Sequence, residues 1–244
     1  MDFPNPAPTD PRRRMALVAA ATRNDPVIHP PPAGEAESAA PRRRTKAPET
    51  RAVALMDAAE RLFIAKGIAT TSIDDIAAGA QVAKGTFYLY FPSKEALLGA
   101  LQQRFVDSFC ARLQEAMDRH RPDNHHARLR AWVETGLETY LDNVALHDVV
   151  FHEYRPEDRR MRNDNAVVTQ LVGLLKQGDA AGVWEVEDPT LTAVILFNAL
   201  HGVADDAVAM GPAGDPVAGR RRRARALTRF FEQALHPDIE DPDI

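Results

Sequence analysis

The sequence predicts an all-α protein in which a small N-terminal three-helix unit precedes a larger helical domain. Three observations carry this. From Arg51 onward, apolar residues recur at helical spacing in one segment after another. Two short helices joined by a tight turn are legible between Thr70 and Phe91. One run has strand-like composition, FYLYF at Phe87 to Phe91, and no second convincing strand accompanies it. A lone five-residue strand leaves its backbone groups without partners, so FYLYF is expected to be helical against its own propensity.

Residues 1 to about 48 hold ten of the eighteen prolines, two Arg triplets and few large apolar groups. Such a segment cannot bury enough surface to offset its ordering entropy, so residues 1–48 are expected to be a disordered tail. Met15 stays open as an alternative start. RRRMALVAAATRN imitates a secretory signal, but its apolar run from Met15 to Ala21 is at the short limit and is ringed by prolines.

The first helix carries Ala52, Met56, Ala59 and Phe63 on one face and ends at Gly67. Ser72 with Asp75 opens the second as a capping box, with Ile73, Ile76 and Ala77 facing inward. The chain then turns through Gly79, Ala80 and Gln81, and Val82 plugs the angle between helices. In the third helix Phe87 and Phe91 point inward with Val82, while Lys84, Thr86, Tyr88 and Tyr90 point outward.

A fourth helix from Ser93 to about Arg119, striped by Leu98, Leu101, Phe105, Phe109, Leu113 and Ala116, spans roughly 40 Å. Leu129, Trp132, Val133, Gly136, Leu137, Tyr140, Leu141 and Val144 form the next stripe, and Val168, Leu171, Val172 and Leu175 another. After a break at Gly178 to Gly182, Asp188 as N-cap and Pro189 open a helix apolar on more than one side. The last helix ends in Leu227, Phe230, Phe231, Ala234 and Leu235.

The formal charge of −5 argues at first against a nucleic-acid partner, but it is unevenly spread. Residues 1–50 carry eight basic and six acidic groups, residues 51–98 five of each, and the rest 17 against 24. The acidity sits late, which leaves room for a DNA-binding face near the front. No apolar run approaches the roughly 20 residues of a membrane span, so no membrane partner is expected. Cys110 is the single cysteine, which fits a reducing cytoplasm, and no cofactor pattern is present.

The helix-turn-helix at about residues 72–91 has a second member sized for the major groove of DNA. Gly85 permits close approach of a sugar-phosphate backbone, and Lys94 sits at a helix start that favours a phosphate. Here the chain resembles the TetR family of transcriptional regulators, TetR/AcrR type. The pattern stands as AAERLFIAKGIATTSIDDIAAGAQVAKGTFYLYFPSKEALLGAL, within about Glu49 to Phe109, with KGTFYLYFPSKEAL its most specific part. Beyond it the resemblance is architectural.

The resemblance implies a DNA-binding domain over residues 49–109 and an effector-binding, dimerising domain over residues 110–238. It implies Lys84, Thr86 and Tyr88 in the groove, and Thr71 or Ser72, Tyr90 and Lys94 on phosphates. It further implies a homodimeric, non-enzymatic repressor of a near-palindromic operator, released by a small-molecule effector of unknown identity. Two positions depart from the pattern: Gln81 stands where the family usually has Gly, and Ala83 where it usually has a capping Ser.

Trp132, Tyr140 and Phe151, with Tyr154 and Trp184, are candidates for an effector pocket, although aromatics at helical spacing are most often core. Arg42, Arg43, Arg44 and Lys46 suit either a minor-groove arm or a solvated tail. His147 and His152 are five apart, which separates them on an α-helix and argues against a metal pair. His201 is expected to be a satisfied interface histidine, and Arg220 to Arg223 a solvated face near Asp205 and Asp206. The rival readings are a metal-dependent enzyme built in the bundle and a DNA-binding module answering to a protein partner.

Overall fold

The computed structural model describes residues 48–153, 165–211 and 216–236. Every regular element among them is helical: α1 Pro48–Lys66, α2 Ile73–Gly79, α3 Lys84–Tyr90, α4 Lys94–Asp118, α5 His125–Asp142, α6 Val144–His147, α7 Ala166–Ala180, α8 Pro189–Ala209 and α9 Pro216–Ala234. A π-helical segment, Asp148–Glu153, continues α6. The tail with Arg42 to Arg44 and Lys46, and also Tyr154, lies outside the described residues.

Helix boundaries follow local chemistry. The Ser72 hydroxyl accepts from Asp75 N at 3.1 Å while the Asp75 carboxylate accepts from Ser72 N at 2.9 Å, a complete capping box. Ser93, Asn124, Asn165 and Asp188 cap α4, α5, α7 and α8 through their side chains, and Pro189 occupies the first turn of α8. Gly67, at φ 79°, ends α1 in the left-handed conformation.

Two apolar cores result. The first, or head, core packs α1 to α3 onto the start of α4 through Leu55, Phe63, Ile76, Phe87, Phe91 and Leu98. The second joins the rest of α4 to α5, α7, α8 and α9 through Leu113, Trp132, Leu137, Leu171, Leu196 and Phe231. α4 enters both, since Leu97, Leu98 and Leu101 belong to the head and Phe109, Leu113 and Met117 to the bundle. At 1.5 Å per residue its 25 residues span roughly 38 Å. It runs unbroken through Phe109, so the domain boundary expected there falls inside a helix.

The end of α7 shows how closely this core is filled. Trp184 is buried and its indole N–H donates to Leu175 O at 2.8 Å. A Cβ added at Gly178 would lie 2.1 Å from the Trp184 ring. Gly178→Ala is therefore expected to cost about 1–3 kcal/mol, read as a fall in Tm of roughly 2–12 °C.

α8 is the exception to the expectation that no segment approaches the length of a membrane span. Its 21 residues are long and apolar enough to cross a bilayer by length and composition. Ala193, Leu196, Leu200 and Ala204 are buried against the bundle, whereas Leu191, Val194 and Ile195 on other faces are exposed.

Candidate nucleic-acid interface

The turn between α2 and α3 is a Schellman motif. Val82 N donates to Ala77 O and Gln81 N to Ala78 O, both at 3.0 Å. The motif needs a left-handed residue, and here that residue is Gln81 at φ 59°. α7 ends with the same hydrogen-bond pattern around Gly182 at φ 67°. An L side chain in this region costs about 1–2 kcal/mol, partly offset by the backbone entropy that glycine loses. Gln81→Gly is thus expected to stabilise the chain by about 0.5–1 kcal/mol in chemical denaturation.

α3 begins without a side-chain cap: Ala83 is the N-cap residue, and Thr86 N donates to its carbonyl at 2.8 Å. The FYLYF run is helical through Tyr90, with the Phe91 N–H closing onto Phe87 O at 2.9 Å. Phe87 is fully buried, its ring 5.9 Å from that of Phe91 and edge-on to Tyr88 at 5.5 Å. That anchor turns the opposite side of α3 to solvent. Lys84, Gly85 and Tyr88 are exposed, Thr86 is half-buried, and Tyr90 packs partly against the head core.

Lys84 pairs with Asp74 of α2 at 2.9 Å, and the carboxylate beside it raises the ammonium pKa. The pair is exposed, so it contributes little to folding and can be exchanged for a phosphate or a base edge. Asp75 behaves differently. The Lys66 ammonium, followed by the backbone and hydroxyl of Ser72, holds its carboxyl well below the usual carboxylate range. A depressed carboxylate supports the fold above its ordinary pKa, and this support fades only as the pH falls through the lower folded value. The capping box therefore stays intact across neutral and mildly acidic pH.

Two residues expected on phosphates are placed otherwise. The Thr71 side chain is buried, and its hydroxyl donates to Gly67 O at 2.8 Å. The Lys94 ammonium donates to Ile68 O at 2.7 Å and to Thr71 O at 3.0 Å, lacing the α1–α2 loop to the start of α4. Both shape the head in this conformation. Ser72 is exposed, with its hydroxyl already accepting the Asp75 N–H.

The effector candidates divide. Tyr140 and Phe151 meet around the buried His147, with ring centroids 4.4 and 5.0 Å from it, and Phe105 lies 5.9 Å away. His201 lies 4.3 Å from Phe197 and 5.2 Å from Tyr140. The Tyr140 hydroxyl donates to Asp205 at 2.6 Å; burial, and then this carboxylate, raise its pKa. Trp132 stands apart in the bundle core, 1% exposed, its indole N–H without a hydrogen-bond partner among the described residues. A cleft of about 240 Å³ opens beside the cluster, lined by Leu101, Arg104, Phe105, Phe109, Asn143 and Leu146 among others. None of Trp132, Tyr140 and Phe151 lines it.

Between His147 and His152 the backbone is π-helical, so the α-helical spacing argument against a metal pair does not hold there. Among the described residues no three His, Cys, Asp or Glu side chains gather as a metal site. Arg223 pairs with Asp206 at 3.4 Å and Arg220 with Asp142, which places the arginine run on a helix face.

Sequence reading missed Leu89, Asp74 and Arg104. Arg104 of α4 forks onto α1, reaching Asp57 at 2.6 Å and Glu60 at 2.5 Å. It ties the head to the helix that both cores share.

Comparison with known proteins agrees with this architecture. Residues 55–101 match the family model described as bacterial regulatory proteins, tetR family. Residues 122–205 match one described as tetracyclin repressor-like, C-terminal domain. The HTH-type transcriptional regulator EthR of Mycobacterium tuberculosis is 34% identical over 110 residues, 44% of this chain and 49% of that protein. The chain thus spans about half the length of the curated relatives it matches first. The probable HTH-type regulator ArpR of Pseudomonas putida is 29% identical over 176 residues, 66% of this chain and 82% of that protein. Among solved structures, a tetR family regulator from Shewanella sp. PV-4 has TM-score 0.61 at 20% identity, covering 76% of this chain and 97% of that one. FadR of Bacillus subtilis, solved in complex with stearoyl-CoA, has TM-score 0.60 at 23% identity, covering 72% and 97%.

Proposed function

The chain belongs to the TetR family of bacterial regulatory proteins and is a helix-turn-helix transcriptional regulator, and from that premise we propose that it is a homodimeric repressor released from a near-palindromic operator by a small-molecule effector. The observation that carries the reading is α3. It is a short helix held by a buried Phe87, turning Lys84, Gly85 and Tyr88 outward. In this reading residues 49–109 form the DNA-binding unit, with Lys84, Thr86 and Tyr88 in the groove and Ser72 and Tyr90 on its flanks. Residues 110–238 dimerise and bind the effector, together with the part of α4 from Leu101 to Phe109 that lines the cleft.

Dimerisation is supported by the exposed apolar residues of α8, its C-cap and α9: Leu191, Val194, Ile195, Val208, Met210, Val217 and Phe230. A second copy covering them satisfies a helix whose two faces are both apolar. Two copies place their recognition helices about 34 Å apart, one turn of DNA.

Effector release is supported by the cluster around His147 and the cleft beside it. Val149 and Val150 of the π-helical segment pack in the head core, and Gln102 of α4 donates to Val150 O. A molecule lodged at Phe105 bears on α4, and through Arg104 on α1. Weakening the operator complex a thousandfold requires the effector to favour the non-binding state by about 4 kcal/mol. The test is the solution mass at micromolar concentration, with and without operator duplex: a dimer of twice 26.9 kDa supports the reading, and a monomer in both overturns it.

A further inference from the structure

We propose that Leu89 reads the C5-methyl group of a thymine in each half-site of the operator, making it a specificity-determining residue of this regulator. Leu89 is 79% exposed, more than any other large apolar side chain among the described residues. It lies two positions after the buried Phe87, about 200° round a helix with 3.6 residues per turn, so it points away from the head core. One turn earlier on the same face is Gly85, where an added Cβ would meet nothing within 4 Å. Together they give α3 an outward strip with no side-chain donor or acceptor, flanked by Lys84, Thr86 and Tyr88.

Apart from the neighbouring Tyr88, which carries a hydroxyl, the other strongly exposed apolar residues lie on different elements. Val53 and Ile64 of α1 are less than half exposed, and Leu191, Ile195, Met210, Val217 and Phe230 belong to the surface that a second copy covers. No such cover explains Leu89. In the major groove the edge of each base pair carries donors and acceptors, and the thymine methyl is the apolar group among them. An aliphatic side chain at the centre of the groove-facing strip gains there what it lacks in the free protein, removal from water. Nothing in α3 is acidic, so no charge on this helix opposes the approach.

The inference rests on the DNA-binding reading, and its test separates the two. An operator is first selected from random duplex DNA with the wild-type protein. Each thymine is then replaced by uracil, symmetrically in both half-sites, which deletes the methyl and leaves the pairing intact. One methyl removed from an apolar contact corresponds to about fourfold in affinity, so both half-sites together give roughly fifteenfold. Wild-type protein is expected to lose that factor at one thymine position. Leu89→Ala, which keeps its melting temperature because the residue is solvent-exposed, binds the thymine operator more weakly and is indifferent to the exchange at that position. The inference fails if wild-type protein tolerates every exchange, if Leu89→Ala discriminates as wild type does at every position, or if the operator lacks thymine. Failure to select any operator removes the regulator reading as well.

Discussion

Lys84→Ala weakens binding to the selected operator by roughly a hundredfold at moderate salt, while the melting temperature stays where it was. The two halves of this expectation come from the same geometry. Lys84 has a side chain more than half exposed, and its one partner, Asp74, is more exposed still. Breaking an ion pair of that kind removes little from folding. In the proposed reading the ammonium stands at the first turn of the DNA-reading helix, where it would exchange Asp74 for phosphate or base-edge acceptors, and a dimer would lose the contact twice. Filter binding or fluorescence anisotropy at two salt concentrations checks it. A loss in specific affinity with a shallower salt dependence is the expected result, because each phosphate contact contributes to the slope.

Phe87→Ala abolishes DNA binding by another route. The ring is fully buried at the centre of the head, against Phe91 and edge-on to Tyr88. Deleting it costs about 3–5 kcal/mol. Whole domains are stable by only about 5–15 kcal/mol, so the loss takes much of the head's margin. The bundle has its own core around Trp132, Leu137 and Phe231, which the substitution does not touch. Hydrogen exchange is therefore expected to show lost protection in α1 to α3 with α5, α7 and α8 retained. Denaturation should become biphasic. Lys84→Ala shows neither effect, and that contrast separates a contact residue from a folding residue.

How much of this was legible from the chain follows the range of the interactions. Capping boxes, proline at a helix start and apolar stripes act within one or two turns, so Ser72 with Asp75, Asp188 with Pro189 and the stripe from Leu129 to Val144 could be read directly. FYLYF could be read against its own propensity because a lone strand has nowhere to put its backbone groups. Lys94 could not. Its partners are carbonyls 23 and 26 residues earlier, and no side-chain pattern encodes a loop carbonyl turned toward an ammonium. The choice between Thr71 and Ser72 was out of reach for the same reason, since the Thr71 hydroxyl is taken by the carbonyl of Gly67.

Gln81 was noticed as a departure from the family's glycine, and the structure gives that departure a physical meaning, a left-handed φ of 59° borne by a side chain. Leu89 was overlooked because an apolar residue inside an aromatic run reads as core. Its angular distance from Phe87 was the signal that could have found it. In the effector half, aromatic character alone made Trp132, Tyr140 and Phe151 candidates, and helical spacing could not tell pocket from core. Packing then separated them, bringing Tyr140 and Phe151 to His147 and leaving Trp132 inside the bundle.

The claim on which the rest depends is that two copies of α3 read one symmetric operator. Enrichment of random duplex DNA on the purified wild-type protein at moderate salt, followed by sequencing, tests it most directly. The account predicts a near-palindromic motif whose half-site centres lie about 10 base pairs, or a small multiple of one helical turn, apart. Sequences recovered with no shared motif, or with a single unpaired half-site, would contradict it.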